Sequence, residues 1–417
     1  THQEPSKATK AVNVHKRTST YNQKKGGEYM AYSARLRKAV GAVRATLSAV
    51  ELCDVQAPEF AQHGDHAVAA DAPIVLVACS GGRDSMALAA VSHIVCTSMG
   101  VRCGAVIVDH GLQEGSEQVA GEAANRCRAL GLGPVIVRNA TVQARGEGLE
   151  AAARQARYNE LCAAARESGA IAVLLAHTMD DQAETVLIGL LRSRGVDALA
   201  GMPQVFTRSG VTFARPLLTL TRAETTGICE DLGVEYWDDP TNGDAVDGEL
   251  PNDYPLRSRV RHDLLPAIER FAGFNVARHF AESARLARMD KEYLDQRSDE
   301  VMGEAVTTVD WPASSAAVST DTPRACAAGD TNDSGHGVGL MISVRRIARE
   351  PEAIRLRVIA HALNQAGVNA SAAQIAAIDR LVVDWHGQGG VSLPRGYSAN
   401  RKKHVIRVCQ DGAHANR

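Results

Sequence analysis

The chain alternates between short apolar runs and stretches with a helical period over residues 70–235. The first run, at 74–79, is apolar without a break and rich in β-branched residues, as expected of a strand buried on both faces. Similar runs lie at 105–108, 135–137 and 171–175. Because strands that alternate with helices form βαβ units, the pattern predicts a doubly wound α/β domain with a parallel sheet. Its helices are predicted over 84–98, 114–130, 149–168 and 180–191.

The rest of the chain differs in composition from this domain. A helical period continues over 264–302, whereas 312–339 is rich in Ser, Thr, Ala, Gly and Asp. Two further helices and a small β element are expected at 352–365, 371–384 and 387–408. We therefore predict a disordered extension or cloning remnant at 1–29, the doubly wound α/β domain at 30–240, a mostly helical region at 255–310, a flexible linker at 311–340 and a small basic C-terminal domain at 341–417.

The net charge of −2 over 417 residues hides an uneven distribution. Residues 48–254 carry a net charge of −14, whereas 1–47, 255–291 and 340–417 carry +8, +4 and +7. An acidic body with basic segments suits a protein that does chemistry in one place and holds a polyanion in another. Solvated surface charge is the plain alternative.

Cysteines and hydropathy exclude several classes of protein. The nine cysteines are scattered, and no C-x-x-C is present, which excludes a zinc ribbon or a C-x-x-C redox pair and favours reduced thiols. No apolar stretch is long enough to span a membrane, and no secretory leader is recognisable. We therefore expect a cytoplasmic protein that has no membrane partner.

A glycine-rich hexapeptide, Ser80-Gly81-Gly82-Arg83-Asp84-Ser85, follows the first predicted strand directly. Two glycines let backbone N–H groups turn toward a ligand, and the positive end of the following helix adds to their attraction for phosphate. The segment is neither a Walker A motif nor a Rossmann fingerprint. It predicts a polyphosphate-binding loop, and the alternative is a glycine turn with a helix cap.

Two further segments carry candidate binding residues. His110 comes directly after the second strand, where ligands of such sheets bind, although a surface histidine in a turn is an equal alternative. Arg154 and Arg157 are three residues apart on one predicted helix and share a face. A solvated arginine pair is the alternative for these two.

The fourth strand leads into His177-Thr178-Met179-Asp180-Asp181-Gln182-Ala183-Glu184. Asp180, Asp181 and Glu184 lie within about one helical turn, so they can face one site. Carboxylates in such a position can hold Mg²⁺, or can bind and deprotonate an amine. Acids that complement the helix dipole are the alternative explanation. Arg215-Pro216-Leu217 follows further along the chain.

Taken together, these segments resemble a known enzyme family. The hexapeptide resembles the PP-loop of ATP pyrophosphatases, which split ATP between its α and β phosphates. The order S-G-G-x-D-S, H-G-L, E-x-x-A-R-x-x-R-Y, H-x-x-D-D-Q-x-E-T, R-G and R-P-L resembles the tRNA(Ile)-lysidine synthetase family. The later segments at 239–242 and 257–266 differ from the family pattern at Thr241 and at Ser258 or Arg259.

The resemblance implies an ATP-dependent reaction on RNA. Such enzymes adenylate the wobble cytidine of tRNA(Ile) with anticodon CAU and then attach free L-lysine to C2, releasing pyrophosphate and AMP. It implies that ATP and Mg²⁺ are used, and it leaves the oligomeric state open, a homodimer included. The implied ATP-binding residues are Ser80, Gly81, Gly82, Arg83, Asp84, Ser85, His110 and His177.

The resemblance also implies roles for the remaining candidates. Asp84 would hold Mg²⁺, and Arg215 would stabilise negative charge during the reaction. Asp180, Asp181 and Glu184 would bind the lysine ammonium group or help to deprotonate it. The implied catalytic residues are therefore Asp84, Asp180, Asp181, Glu184 and Arg215. The candidate tRNA-binding residues are Arg154, Arg157, Arg257, Arg259, Arg261, Arg401, Lys402 and Lys403.

Two other functions compete with this hypothesis. Another PP-loop enzyme that modifies tRNA, such as a thiolation enzyme, usually needs paired cysteines or a cluster site. The nearest pair, Cys96 and Cys103, has neither the spacing nor the position in the chain that sulfur transfer requires. A nucleotide- or RNA-binding protein without catalysis would not need both an intact hexapeptide and a full carboxylate cluster.

Overall fold

The computed structural model describes residues 32–50, 68–111, 115–142, 148–193, 195–239, 246, 248–312 and 336–410. The predicted extension at 1–29 therefore lies outside the described residues. The chain forms two compact units, one that ends at Arg288 and one that begins at Met289. The boundary falls inside a long helix, within the region predicted as helical.

The first unit alternates strands and helices in the predicted order. Its strands are β1 (Ile74–Ala78), β2 (Arg102–Asp109), β3 (Val135–Asn139), β4 (Ala172–Leu174), β5 (Val205–Arg208) and β6 (Val211–Ala214). Its helices are α1 (Ala34–Ala49), α2 (Arg83–Ser98), α3 (Ser116–Ala129), α4 (Leu149–Ser168), α5 (Met179–Arg192), α6 (Val196–Leu199), α7 (Arg222–Leu232), α8 (Leu256–Arg259), α9 (Leu265–Ala272) and the first part of α10 (Val276–Ala305).

The six strands form one sheet in the order β3-β2-β1-β4-β6-β5. Every neighbouring pair is parallel except β5 and β6, so the predicted doubly wound fold is confirmed with one antiparallel edge strand. The sequence prediction missed the β5–β6 hairpin. Its turn is Ser209-Gly210, both at positive φ, and a Ser-Gly pair between two short alternating runs is the signal that could have revealed it.

Strand β1 shows why both faces of the sheet are covered. Val75 and Val77 pack into a core with α1, α2, α3 and α7, whereas Leu76 packs on the opposite face with Leu161 of α4 and Phe213 of β6. The strand order reverses between β1 and β4. In such sheets, ligands bind at this point beyond the carboxyl ends of the strands.

The helical segment over 256–272 is continuous, with a π-turn at Val260–Leu264 between α8 and α9. Val260 and Leu265 are buried against Ala183 and Leu187 of α5. This packing holds the segment beside the start of α5, where the candidate carboxylates lie.

The second unit is an antiparallel sheet with helices on it. Its strands, β7 (Val306–Pro312), β8 (His336–Ser343), β9 (Val391–Ser392), β10 (Tyr397–Lys402) and β11 (Val405–Gln410), follow the order β7-β8-β11-β10-β9. Its helices are the end of α10, α11 (Val344–Ile347), α12 (Glu352–Gln365) and α13 (Ala372–Val383). Arg355 and Asp379 join α12 to α13 through two hydrogen bonds of 2.7 and 2.9 Å.

Strand residues occupy both ends of the linker predicted over 311–340. Residues 311–312 and 336–340 belong to β7 and β8, because the two strands pair from Val306↔Ile342 to Pro312↔His336. Residues 313–335 lie outside the described residues.

Six cysteines in the described residues are buried free thiols, as expected, whereas Cys409 is disulfide-bonded, which differs from that expectation. None of the described helices combines the length and apolar character that a membrane span requires.

Candidate active site

The predicted phosphate loop joins β1 to α2, and its glycines allow a tight turn. Gly81 has φ +83°, and a Cβ at this position would stand 2.9 Å from the Cβ of Ala123. Its carbonyl accepts a hydrogen bond of 2.9 Å from the backbone N–H of Trp237. Gly82 is the N-cap of α2 and makes no side-chain cap bond. The N-terminal amides of α2 are therefore left for a ligand.

Serine hydroxyls fix the shape of this loop. Ser85 Oγ donates to the Gly82 carbonyl at 2.9 Å and accepts from the Ser80 N–H at 3.2 Å. Ser85 is buried, whereas Ser80 is exposed. Arg83 reaches away from the loop to Asp238, at 3.4 Å between Nη2 and Oδ1. Ser85 thus has a structural role, whereas Ser80 is accessible to a ligand from solvent.

Asp84 lies in the first turn of α2 and contacts α7. Its carboxylate accepts a short hydrogen bond from the Thr225 hydroxyl, and Arg222 Nε lies 3.8 Å from its Oδ2. Burial raises the pKa of the Asp84 carboxyl to about 6, and the hydrogen bond from Thr225 and the charge of Arg222 offset this only in part. A carboxylate that lacks full compensation is suited to a cation supplied from outside.

Helix α5 begins with a capping box that uses one of the candidate carboxylates. The Thr178 hydroxyl caps the helix, and Asp181 Oδ2 accepts from the Thr178 N–H at 2.8 Å. Asp180 points to α7 instead, where its Oδ2 accepts from the backbone N–H of Arg222 at 2.8 Å. The structure therefore brings Asp181 and Glu184 together and separates Asp180 from them in role.

Three arginines surround Asp181 and Glu184. Arg222 Nη2 lies 3.3 Å from Asp181 Oδ1 and 3.2 Å from Glu184 Oε1. Arg261 lies at 3.3 and 2.7 Å from the same two oxygens, through Nη2 and Nε. Arg257 is more distant, at 4.0 Å from Asp181 and 3.8 Å from Glu184. We name these five residues the carboxylate cluster.

The charges inside the carboxylate cluster stabilise each other. Burial acts to raise the pKa of Asp181, but Arg222 and Arg261 hold it well below its usual range. Burial likewise acts to lower the pKa of Arg222, and the charges of Asp181, Glu184 and Asp84 raise it. Because Arg222 contacts Asp84 as well, it connects the carboxylate cluster to the phosphate loop.

Buried Arg215 and half-buried His177 form a second pair. Arg215 Nε donates to His177 Nδ1 at 3.2 Å, and Nη1 donates to the Pro203 carbonyl at 2.6 Å. The guanidinium lies 4.3 Å from the ring centroid of Phe206. Burial lowers the pKa of His177 well below its usual range. The imidazole is therefore neutral at pH 7, and since Nδ1 accepts a bond, its proton is on Nε2.

Arg157 and His110 also lie near the strand ends. Burial lowers the pKa of Arg157, and its charge affects the pKa of Cys79, His110 and His177. His110 Nδ1 is buried and has no hydrogen-bond partner among the described atoms, and burial lowers its pKa. Arg154 is exposed, 5.4 Å from the ring centroid of Tyr158. Arg157 is thus placed beside the candidate ATP residues.

The other predicted tRNA-binding residues fall into three environments. Arg257 and Arg261 belong to the carboxylate cluster, and the Nε of Arg259 is buried with no hydrogen-bond partner in the described part of the chain. Arg401 is fixed to the end of α13, where it donates to the Leu381 and Val382 carbonyls. Lys402 and Lys403 are exposed.

Two residues of the site were missed from the sequence, Arg222 and Thr225. Both lie on α7, which begins with a capping box between Thr221 and Glu224. A Thr-x-x-Glu pattern shortly after Arg215-Pro216-Leu217 was the available signal for a helix at this place.

No group of three or more His, Cys, Asp or Glu side chains in the described ranges could hold a metal ion. Asp84 alone is consistent with Mg²⁺, which is commonly bound by one or two carboxylates together with substrate phosphates.

Two family models match the sequence of this chain. A PP-loop domain model matches residues 56–268, and a TilS substrate binding domain model matches residues 342–408. The tRNA(Ile)-lysidine synthase of Bifidobacterium longum subsp. infantis is 99% identical over 388 residues, which cover 93% of this chain and 100% of that protein. The synthase of Leifsonia xyli subsp. xyli is 39% identical, with 84% of this chain and 95% of that protein covered.

A solved structure, the U34-tRNA thiolase NcsA from Methanococcus maripaludis, has a TM-score of 0.44 and 16% identity, and the match covers 61% of this chain and 78% of that one. The matches to the two synthases cover 93% and 84% of this chain, at 99% and 39% identity. The chain belongs to the tRNA(Ile)-lysidine synthase family.

Proposed function

We propose that the protein joins free L-lysine to C2 of the wobble cytidine in tRNA(Ile) with anticodon CAU. ATP is consumed, an adenylated cytidine is the intermediate, and AMP and pyrophosphate are released. The observation that carries this proposal is Arg222, which contacts Asp84 beside the phosphate loop and both carboxylates of the cluster. A site for a polyphosphate and a site for an amine are therefore adjacent, as a two-step ligation requires. Both a tRNA and free lysine are available in the cytoplasm, where we place the reaction.

In the first step, O2 of the cytidine attacks the α-phosphate of ATP and pyrophosphate leaves. The amides at the start of α2 and the exposed Ser80 hydroxyl would bind the leaving phosphates. Arg157 and Arg215 carry positive charge near the strand ends, where it can stabilise charge that develops during transfer. Mg²⁺ on Asp84 would neutralise phosphate charge when it is bound. His177 can donate from Nε2 to the nucleotide at any pH near neutrality.

In the second step, the ε-amine of lysine attacks C2 and displaces AMP. The ammonium form has no lone pair, so the site has to bind the amine and remove a proton. Asp181 and Glu184 are suited to bind the ammonium group, but three arginines already neutralise them. Because its pKa is held well below the usual range, Asp181 is a weak proton acceptor. Glu184 would therefore take the proton. We propose that Arg257 gives way to lysine, because it has the longest contacts and its side chain is 31% exposed. Arg222 and Arg261 would then keep both carboxylates in place.

Binding of tRNA needs a cationic surface, because the segment over 48–254 is strongly acidic. Lys402 and Lys403 are exposed on the second unit, whereas Arg401 has a structural role. We expect the double change Lys402→Glu and Lys403→Glu to weaken tRNA binding and to reduce the slope of log K against log salt by about 0.9 per lost phosphate contact. A filter-binding salt series measures both quantities. An unchanged slope would remove these lysines from the interface.

The overall proposal is tested by nucleoside analysis of tRNA(Ile) after incubation with the protein and ATP. Lysidine should form only when lysine is present, and an adenylated tRNA should accumulate when lysine is withheld. Pyrophosphate release without any lysidine in the complete mixture would refute the proposal, and a thiolated nucleoside in the presence of a sulfur donor would favour the alternative enzyme.

A further inference from the structure

Two phenylalanines near the end of α9 are unusually exposed for their size. Phe271 is 93% exposed and Phe274 is 59% exposed, and they flank Gly273 at φ +77°. The protein has only six phenylalanines. Others have packing roles: Phe213 is buried in the sheet core and Phe280 packs against the helices beside α5. The exposure of Phe271 and Phe274 therefore needs an explanation outside the core.

The local fold does not require these two rings. Leu265 supplies the buried contact of α9, and Ile268 and Ala272 pack partly against the same core. The chain ends the helix at Gly273 through its positive φ, and Val276 begins α10 as a buried residue. Smaller or polar side chains at 271 and 274 would satisfy the same backbone.

The surroundings of the two rings are cationic and polar. Arg270 and Arg278 are exposed, and neither forms an ion pair with a carboxylate in the part of the chain that the structure describes. The nearby Glu269 is used internally, since its Oε1 accepts from the Val276 N–H at 3.2 Å. Exposed aromatic faces beside unpaired arginines match single-stranded nucleic acid, which offers both flat bases and phosphates.

The two rings lie close enough to the carboxylate cluster for one short stretch of nucleotides to reach both. Arg261, which contacts Glu184, and Phe271 lie on one continuous helical segment. Ten residues separate them, which corresponds to about 15 Å at 1.5 Å per residue. A few unpaired nucleotides next to a base held in the site can span such a distance.

We propose that Phe271 and Phe274 stack on unpaired bases of the anticodon loop, next to the base that reacts. The proposal rests on the proposed function, because it names the part of the tRNA that this surface binds. A protein partner fits the surface less well, since the rings are separated by a turn and bordered by charged and polar side chains rather than by further apolar area. The rings would act in positioning, whereas the reacting groups belong to the site itself.

The test compares two double variants that differ in aromaticity. Phe271→Leu with Phe274→Leu keeps the apolar character and removes the flat rings, and Phe271→Tyr with Phe274→Tyr keeps the rings. We expect the leucine variant to raise KM for tRNA at least about fivefold and to leave KM for ATP unchanged. The tyrosine variant should stay within about twofold of the wild type. Leu191→Ala, which removes an exposed leucine from α5, is the matched control and should change nothing.

Wild-type KM for tRNA in the leucine variant would overturn the proposal. A double alanine variant separates stacking from apolar contact. If a protein partner or a second copy used this surface, the leucine variant would behave as the wild type and the alanine variant would not. That result would also overturn the proposal. Binding of an isolated anticodon stem-loop, measured against a duplex of equal charge, provides a readout without catalysis. The leucine variant should lose only the preference for the stem-loop. Failure of the wild type to form lysidine would refute the proposed function, whereas an unchanged stem-loop preference would refute the stacking role alone.

Discussion

Two parts of the candidate site differ in whether their charged side chains have partners of opposite charge. The first contains Arg157 and Arg215, and the second is the carboxylate cluster. Near the carboxyl ends of the strands, burial lowers the pKa of Arg157 and Arg215, and neither forms an ion pair with a carboxylate in the described residues. In the carboxylate cluster, Asp181 and Glu184 are fully supplied with counter-charge by arginines. We propose that the first side receives an anion that arrives with the substrate. In the second, arginines already compensate both carboxylates before any substrate binds.

This difference has an energetic meaning. A desolvated cation without a carboxylate partner destabilises the free protein and favours binding of a polyanion, since binding restores the missing attraction. A balanced cluster contributes little net stability as a whole, but removal of one member leaves a buried charge uncompensated. The two sides should therefore respond differently to equivalent substitutions.

Asp84 touches both sides, so its substitution has the largest expected effect. We expect Asp84→Asn to reduce ATP-dependent pyrophosphate release about 100- to 1,000-fold while the protein stays folded, because the charge that would hold Mg²⁺ is lost. Pyrophosphate release and circular dichroism measure the two outcomes. Glu117→Gln is the control, since Glu117 lies in the first turn of α3 and can serve only the helix dipole. Equal losses of pyrophosphate release in both variants would show that Asp84 only stabilises the N-terminus of its helix.

Arg222→Met tests the balanced side. We expect the free energy of unfolding to fall by about 3 kcal/mol, because Glu184 would keep a buried charge with fewer partners. Urea denaturation gives this value, and adding Glu184→Gln to the variant should restore part of the loss. Arg257→Met, with its longer contacts, should cost less. A loss below about 1 kcal/mol for Arg222→Met would show that water already compensates the cluster.

The dependence of stability on pH separates the two sides further. The pKa of Asp84 is about 6 in the folded protein and about 3.9 in an unfolded chain, so ionisation between these values destabilises the fold as pH rises. We expect Asp84→Asn to be more stable than the wild type at pH 7 by about 2 kcal/mol. The gain should vanish as the pH falls through 6 toward 4, which denaturation at a series of pH values would show.

His177 provides the opposite sign as a control. Its pKa is lowered in the folded protein, so the unfolded chain binds a proton more readily and stability falls as pH drops below about 6.5. His177→Asn should make the protein less sensitive to acid in that range. An acid profile identical to that of the wild type would mean that water reaches the imidazole.

Arg157→Met has the smallest expected effect on the fold. We expect the free energy of unfolding to stay within about 1 kcal/mol of the wild type, or to increase, because a half-buried charge without a carboxylate partner is removed. KM for ATP should rise about tenfold. Destabilisation as large as that of Arg222→Met would contradict the comparison, and a change in KM for tRNA alone would support the tRNA-binding role predicted from the sequence.

The sequence predicted the sheet and placed much of the candidate site at one edge, because strand ends of a doubly wound fold meet there. That rule brought the phosphate loop, His177 and the acids of α5 to one place without any contact information. It did not reveal Arg222, because an arginine in a new helix carries no local sign of which carboxylate it will meet.

Arg257 and Arg261 show a different limit. Their charge and spacing fit an RNA surface as well as an internal ion pair, and only packing of Val260 and Leu265 on α5 determines which face turns inward. The short hairpin β5–β6 was missed because its strands have four residues each, too few for a periodic pattern.

The capping box of α5 gives Asp181 two duties on separate oxygens. Oδ2 accepts from the Thr178 N–H and hydroxyl, and Oδ1 faces Arg222 and Arg261. A substitution here removes the carboxylate half of the capping box together with a carboxylate of the candidate site, and a loss of about 1–2 kcal/mol is enough to change the amount of a protein in a cell several-fold. In living cells, changes at Asp181 will therefore lower the level of the enzyme as well as its activity. Growth phenotypes of such variants have to be corrected for abundance, whereas those of Asp84→Asn do not.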